Sequence, residues 1–261
     1  MDQPGLLARR GAVGRVGLTA IVAAVSVGVA ACGGGGGGAT TSAGPREQPP
    51  FTDNRDGLVT PSPALDSANR QPRGESVTYN DPPPPISAGV KAAAETAGCT
   101  VKSWPSEPDP SSHMTGEAKT TISVPPLSGA HNPRWSDWGV YTQPIPYKYQ
   151  LHNLEHGGVV IHYGTQVPVA GVNALRNLWA TSPAYLIVVP DSNVKFPVDA
   201  VVAGSQQRWL VCKPFKPEQV SAVDAFLKEY RGRGPEQIPA KNSGVSRPSD
   251  QPAPVLPDKG A

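Results

Sequence analysis

Apolar residues recur with the period of a helix or a strand only between Ile86 and Glu236, and that window bounds what this chain of 261 residues can fold into. Outside it there is too little apolar surface to offset the entropy of ordering the backbone. Residues 32–85 run from "GGGGGG" after Cys32 to "DPPPP" at Asp81–Pro85. Their Gly, Pro, Ser, Asn and charged residues predict a flexible tether of roughly 50 residues. Residues 237–261 have the same character and are expected to form a disordered tail. The remaining segment, 86–236, is long enough for one domain.

Residues 1–31 read as an export signal. Arg9, Arg10 and Arg15 precede the uncharged run "VGLTAIVAAVSVGVAA", which falls short of the roughly 20 apolar residues that span a bilayer. The run ends in "VAAC", small residues directly before Cys32, as in a bacterial lipobox. The expectation is lipidation at Cys32 and an exported chain held to the cell membrane by its lipid, the domain facing away from the cytoplasm. Loss of the three arginines and Asp2 leaves equal numbers of basic and acidic residues. Such a balance argues against nucleic acid as a partner.

Within the window, "ISAGVKAAAETAGC" spaces Ile86, Val90 and Ala94 four apart, with Ser87 as N-cap and Gly98 as stop. "CTVKSW" and "KTTISV" read as strands; "PPLSGAHNPRWSDWGVYTQPIPYKYQ" reads as a long ordered loop, a type that often carries function. "GVVIHY", "AYLIVV", "AVVAGS" and "QRWLVC" read as strands, and "VAGVNALRNLWATS" and "KPEQVSAVDAFLKEY" as amphipathic helices. The order points to an α+β two-layer sandwich, a mixed or antiparallel sheet with helices on one face. Cys99 and Cys212 remain once Cys32 is acylated; an even pair in an oxidising compartment predicts a disulfide.

The chemistry concentrates in "LHNLEHGGVVIHY". His152 and His156 stand four apart, on one side of a helical turn, with Glu155 beside them. Two imidazoles and a carboxylate suit Zn or Cu; His131 in the preceding loop would complete the set, and His113 is the alternative. Trp135, Trp138 and Tyr141 are expected to wall the pocket. Two other readings stay open. "HNLEH" has the H-x-x-E-H spacing of a zinc hydrolase, though Gly157 and Gly158 break the long helix such enzymes use. The histidines and Glu155 would otherwise be a hydrogen-bonded rivet between loop and sheet, as His162 is expected to be from the alternation of its strand. With no nucleophile elbow, Walker loop or dinucleotide fingerprint, a binding module is expected rather than an enzyme. Ser128 reads as a turn residue.

"PPLSGAH", "WGVY" followed by "PIP", and above all "HNLEHGGVVIHY" resemble an uncharacterised bacterial family, a domain of unknown function found on exported and membrane-tethered proteins. Gly98–Cys99, "WLVC" and "RGRGPE" fit it too, so the resemblance covers roughly Gly98 to Glu236. Ala130 stands where the family more usually has proline, and Leu127 where threonine is commoner. The resemblance implies no activity.

Overall fold

The computed structural model describes residues 69–73, 85–118, 123–241 and 249–258. The signal segment, Cys32, most of the tether and the core of the strand expected over Lys119–Val124 lie outside the described residues. The first helix, α1 (Ala88–Thr96), starts where its capping chemistry puts it: Ser87 Oγ accepts from the Val90 N–H at 3.3 Å. It stops at Gly98, whose φ of 67° is the left-handed conformation that glycine adopts without a Cβ penalty.

Seven strands form one mixed sheet in the order β1-β6-β5-β3-β4-β2-β7. They are β1 (Thr100–Ser103), β2 (Gly139–Val140), β3 (Val159–Gly164), β4 (Leu186–Asp191), β5 (Val201–Ser205), β6 (Arg208–Cys212) and β7 (Leu256–Pro257). β3 and β4 are parallel, Val159 opposite Leu186, and are joined by α3 (Val169–Thr181). β2 is also parallel to β4, whereas β5, β6, β1 and β7 pair antiparallel with their neighbours. Every residue of β3 and β4 is buried, as apolar runs covered on both faces are.

The two faces follow from the period of two. Val159, Ile161, Leu186 and Val188 join one core with Leu175 and Leu178 of α3 and Val223 and Phe226 of α4 (Val220–Tyr230); α1 adds Val90 and Ala94. Val160, Ile187 and Val189 join a second core on the other side. There the long loop and α2 (Tyr147–Glu155) provide the cover, through Trp138, Tyr141, Leu151 and Leu154. The α+β class with a mixed sheet is therefore as the sequence indicates, three helices sharing one face and the loop with α2 lying on the other.

The tail expectation changes. Leu256–Pro257, inside the segment read as disordered, extends the sheet as β7 by pairing with β2. Asp258 forms a buried ion pair with Arg70 from the tether segment, and the Arg73 N–H donates to the Gly232 carbonyl at 2.8 Å. The composition of these stretches is polar, but short extended pieces gain order from backbone pairing with an existing edge. Cys99 and Cys212 are bonded, with Cα atoms 4.4 Å apart. They flank the β1–β6 ladder, in which Thr100 faces Val211.

Candidate metal centre

α2 is nine residues long and buried almost all round, so its two sides do different work. Leu151 and Leu154 enter the second core, while His152, Glu155 and His156 turn toward the long loop. The loop is docked onto α2 by backbone and amide bonds. Asn153 accepts from the Ser136 N–H at 2.9 Å and donates to the Ser136 carbonyl at 2.8 Å, and the Asn132 N–H donates to the Lys148 carbonyl at 3.0 Å. A third segment clips onto this loop: the His131 N–H donates to the Ser112 carbonyl at 3.0 Å, and the Met114 N–H donates to the His131 carbonyl. That parallel bridge sets His113 beside His131.

These contacts bring His113, His131, His152 and Glu155 together, each offering a ligand atom within 4.8 Å of the others. The ring centres of the three histidines form a near-equilateral triangle, 5.2 Å for His113–His131, 5.1 Å for His113–His152 and 5.0 Å for His131–His152. Three imidazoles bound tetrahedrally to one ion, with nitrogen–metal bonds of about 2.0–2.1 Å, hold their ring centres about 5 Å apart. The rings are thus at ligating separation.

Second contacts fix which nitrogen faces the centre. His152 Nδ1–H donates to the Asn132 carbonyl at 2.8 Å, which leaves the Nε2 lone pair for a ligand. His131 Nδ1–H donates to the Gly129 carbonyl at 2.9 Å, and its Nε2 lies 2.8 Å from Glu155 Oε2. Burial disfavours charge on His131, but the Glu155 carboxylate and the Gly129 carbonyl outweigh it and raise the pKa above the ordinary 6.5. A metal ion arriving here would replace the proton between His131 and Glu155.

His156 does not join this set. It caps α2 and, with His152 and Glu236, forms a second group whose ligand atoms also lie within 4.8 Å. His156 Nε2 is 3.1 Å from Glu236 Oε2. Burial and the neighbouring His152 hold the His156 pKa near 3, which disfavours an ion pair with Glu236. Glu236 reaches the site through glycines. Gly157 has φ 84°, the Gly232 N–H donates to the Gly157 carbonyl at 2.7 Å, and the Glu236 N–H donates to the Glu155 carbonyl at 3.1 Å. A Cβ on Gly234 would stand 2.3 Å from the Glu155 carbonyl oxygen, so only glycine permits that approach.

The expected set of His131, His152, Glu155 and His156 is therefore divided between two groups that share His152. His113 takes the place expected for His156, because the C-terminal end of α2 turns the His156 ring toward Glu236. The expected aromatic wall is also reduced. Trp135 lies against His152 and His156, with ring centres 5.2 and 4.7 Å away. Trp138 and Tyr141 belong to the second core, where burial of their large apolar surface prevails. No periodicity marks His113 or Glu236; their only sequence signals are a histidine in a loop and the Gly-rich "RGRGPE" that the family resemblance covers.

The site imposes a pH dependence on the metal-free fold. Burial depresses His152 to about 4 and His156 to about 3, against 6.5 in the unfolded chain. As pH falls below 6.5 the unfolded chain protonates these rings and the folded chain does not, so stability falls. His131 has the opposite shift; its contribution is complete below 6.5 and adds no slope there. At about 1.4 kcal/mol per pKa unit, acidification of chelator-treated protein from pH 6.5 to 5 is expected to remove a few kcal/mol. The measurement is the unfolding midpoint against pH for wild type and His152→Asn/His156→Asn, the double variant losing most of that slope. Equal slopes would contradict the assignment.

No curated protein and no solved structure matches the chain. Residues 113–243, about half the chain and all five histidines, match the family described as "Protein of unknown function (DUF3105)", and the protein belongs to that family.

Proposed function

We propose that this domain binds one divalent transition-metal ion, Zn or Cu, through His113, His131, His152 and Glu155, as the binding module of a lipid-anchored envelope protein. The observation that carries this reading is the triangle of three imidazole rings at 5.0, 5.1 and 5.2 Å with a buried carboxylate at its edge. Three imidazoles and one carboxylate suit Zn(II) and Cu(II) and are a poor set for Mg or Ca, which take oxygen ligands. The carbonyls of Asn132 and Gly129 orient two of the rings, the outer-shell arrangement that metal-ligating histidines use.

The H-x-x-E-H reading gains one observation of its own. His152, His156 and Glu236 form a His-His-Glu group with Glu155 next to it, the residue types of a hydrolytic zinc site. His152 serves only one ion, since its Nδ1 is committed to Asn132, so the two groups compete. Glu155 is held by His131 at 2.8 Å, which favours the ligand role over that of a general base.

Metal analysis of wild-type protein purified without a polyhistidine tag and equilibrated with zinc is expected to give one ion per chain. Absence of stoichiometric metal would leave the cluster as a rivet that hydrogen-bonds the loop to α2. Export and anchoring are supported by the basic, apolar and "VAAC" sequence around Cys32 and by the Cys99–Cys212 disulfide, which suits an oxidising compartment. Among the described residues no helix is long and apolar enough to cross a membrane. Cys32→Ala should release the protein from the membrane fraction; unchanged partitioning would contradict the anchor.

A further inference from the structure

At the opposite end of α2 from the histidine cluster lies a cleft of about 400 Å³, at the carboxyl ends of the parallel strands β3 and β4. Open sheets commonly bind ligands at that place. Two side chains lining it are almost fully buried yet incompletely bonded. Gln150, 3% exposed, donates through Nε2 to the Ile145 carbonyl at 2.6 Å, while its Oε1 has no partner among the described residues. His162, also 3% exposed, has Nδ1 2.9 Å from Asp191 Oδ2 but without an aligned hydrogen bond. A buried acceptor without a donor is destabilising, and a ligand that supplies the donor recovers that loss.

The cleft selects the sign of that ligand. Asp191 stays ionised: burial opposes its charge, but His162, the Asn193 N–H and the Tyr147 hydroxyl, which donates at 2.7 Å, hold it below the usual carboxylate range. Glu117 and Asp250 also line the cleft, and among the described residues no lysine or arginine does. The nearby Lys148 ammonium is 2.8 Å from each of those two carboxylates and offsets one charge. The amino end of α2 adds only about half a positive charge. The balance is negative. Pro144, Ile145, Pro146 and Pro190 supply apolar walls. Among the described residues, the groups of three or more metal-ligating side chains both lie at the other end of α2, so a bare metal ion is not the fitting occupant.

We propose that this cleft binds a small organic primary ammonium ion, its N–H groups donating to Gln150 Oε1 and the Asp191 carboxylate and its carbon chain lying on the prolines. The site is independent of the metal reading. Titration of the full chain with n-propylammonium chloride, followed by heteronuclear NMR against a potassium chloride background, is expected to show saturable shifts around Tyr147, Gln150 and His162. Gln150→Leu removes the unbonded acceptor together with the bond to the Ile145 carbonyl and should weaken binding about tenfold, with the thermal midpoint and the wild-type spectrum elsewhere showing that the variant is folded. Propionate and 1-propanol, matched in size, should not saturate. Absence of saturable binding by propylammonium, equal binding by either control, or unchanged affinity in Gln150→Leu would overturn the proposal.

Discussion

Breaking the Cys99–Cys212 bond is expected to lower the unfolding midpoint by roughly 4–20 °C. The bond closes a loop of 113 residues. In the chain-entropy model a loop of that length restricts the unfolded chain by about 5 kcal/mol, and measured values for native bonds run from about 2 to 5. A domain of this size has about 5–15 kcal/mol in total, and each kcal/mol moves the midpoint by about 2–4 °C. The position in the fold matters as well. β1 is an edge strand held by one ladder of four residue pairs to β6, so the bond ties the first strand and α1 to the rest of the sheet. Thermal unfolding of the oxidised wild type and of Cys99→Ala/Cys212→Ala makes the comparison. A shift of under about 2 °C would mean that β1 and α1 are held by packing alone.

That bond was legible from the sequence because it needed only a count and a compartment. The helices were legible for a different reason: Val172, Leu175, Leu178 and Trp179 repeat at helical spacing and are all buried. β7 and the Arg70–Asp258 pair were not. Neither stretch has an apolar pattern, and both gain their order from partners more than a hundred residues away in the chain. The placement of α2 was hidden for a similar reason. Proline and aromatic residues around it signal a loop, and only the second core, built from Leu151, Leu154, Trp138 and Tyr185, shows which face it covers.

His152→Ala is expected to abolish zinc binding, with affinity reduced by roughly a thousandfold or more, because it removes the one ligand common to both groups. His113→Ala removes a ligand of the first group alone and should cost at least roughly a hundredfold, beyond the 10–100-fold that outer-shell changes bring. His156→Ala should stay within roughly threefold of wild type. Equilibrium competition with a chromogenic zinc chelator reads all three. The reverse ranking, with His156→Ala severe and His113→Ala mild, would move the ion to the His152–His156–Glu236 group and revive the hydrolytic reading. His113 is exposed whereas His131, His152 and Glu155 are buried, so its removal carries the least risk to the fold.

The candidate site was half legible. A spacing of four in "HNLEH" places His152 and His156 on one side of a turn, and this they share, with ring centres 4.5 Å apart. Spacing does not encode the direction in which a helix end turns its cap residue, and His156 lies beside Glu236. His162 shows the limit of alternation. Its strand position was readable, and it does share a face with Val160, but nothing near it in sequence announces Asp191 and Tyr147 beside it.

Zinc-edge X-ray absorption of the stoichiometrically loaded wild-type protein tests the metal centre most directly. Three imidazole nitrogens and one carboxylate oxygen are expected at about 2.0–2.1 Å, with the outer-shell scattering of three rings. A shell with one imidazole or none, or with two imidazoles and oxygen only, would contradict a centre built from His113, His131, His152 and Glu155.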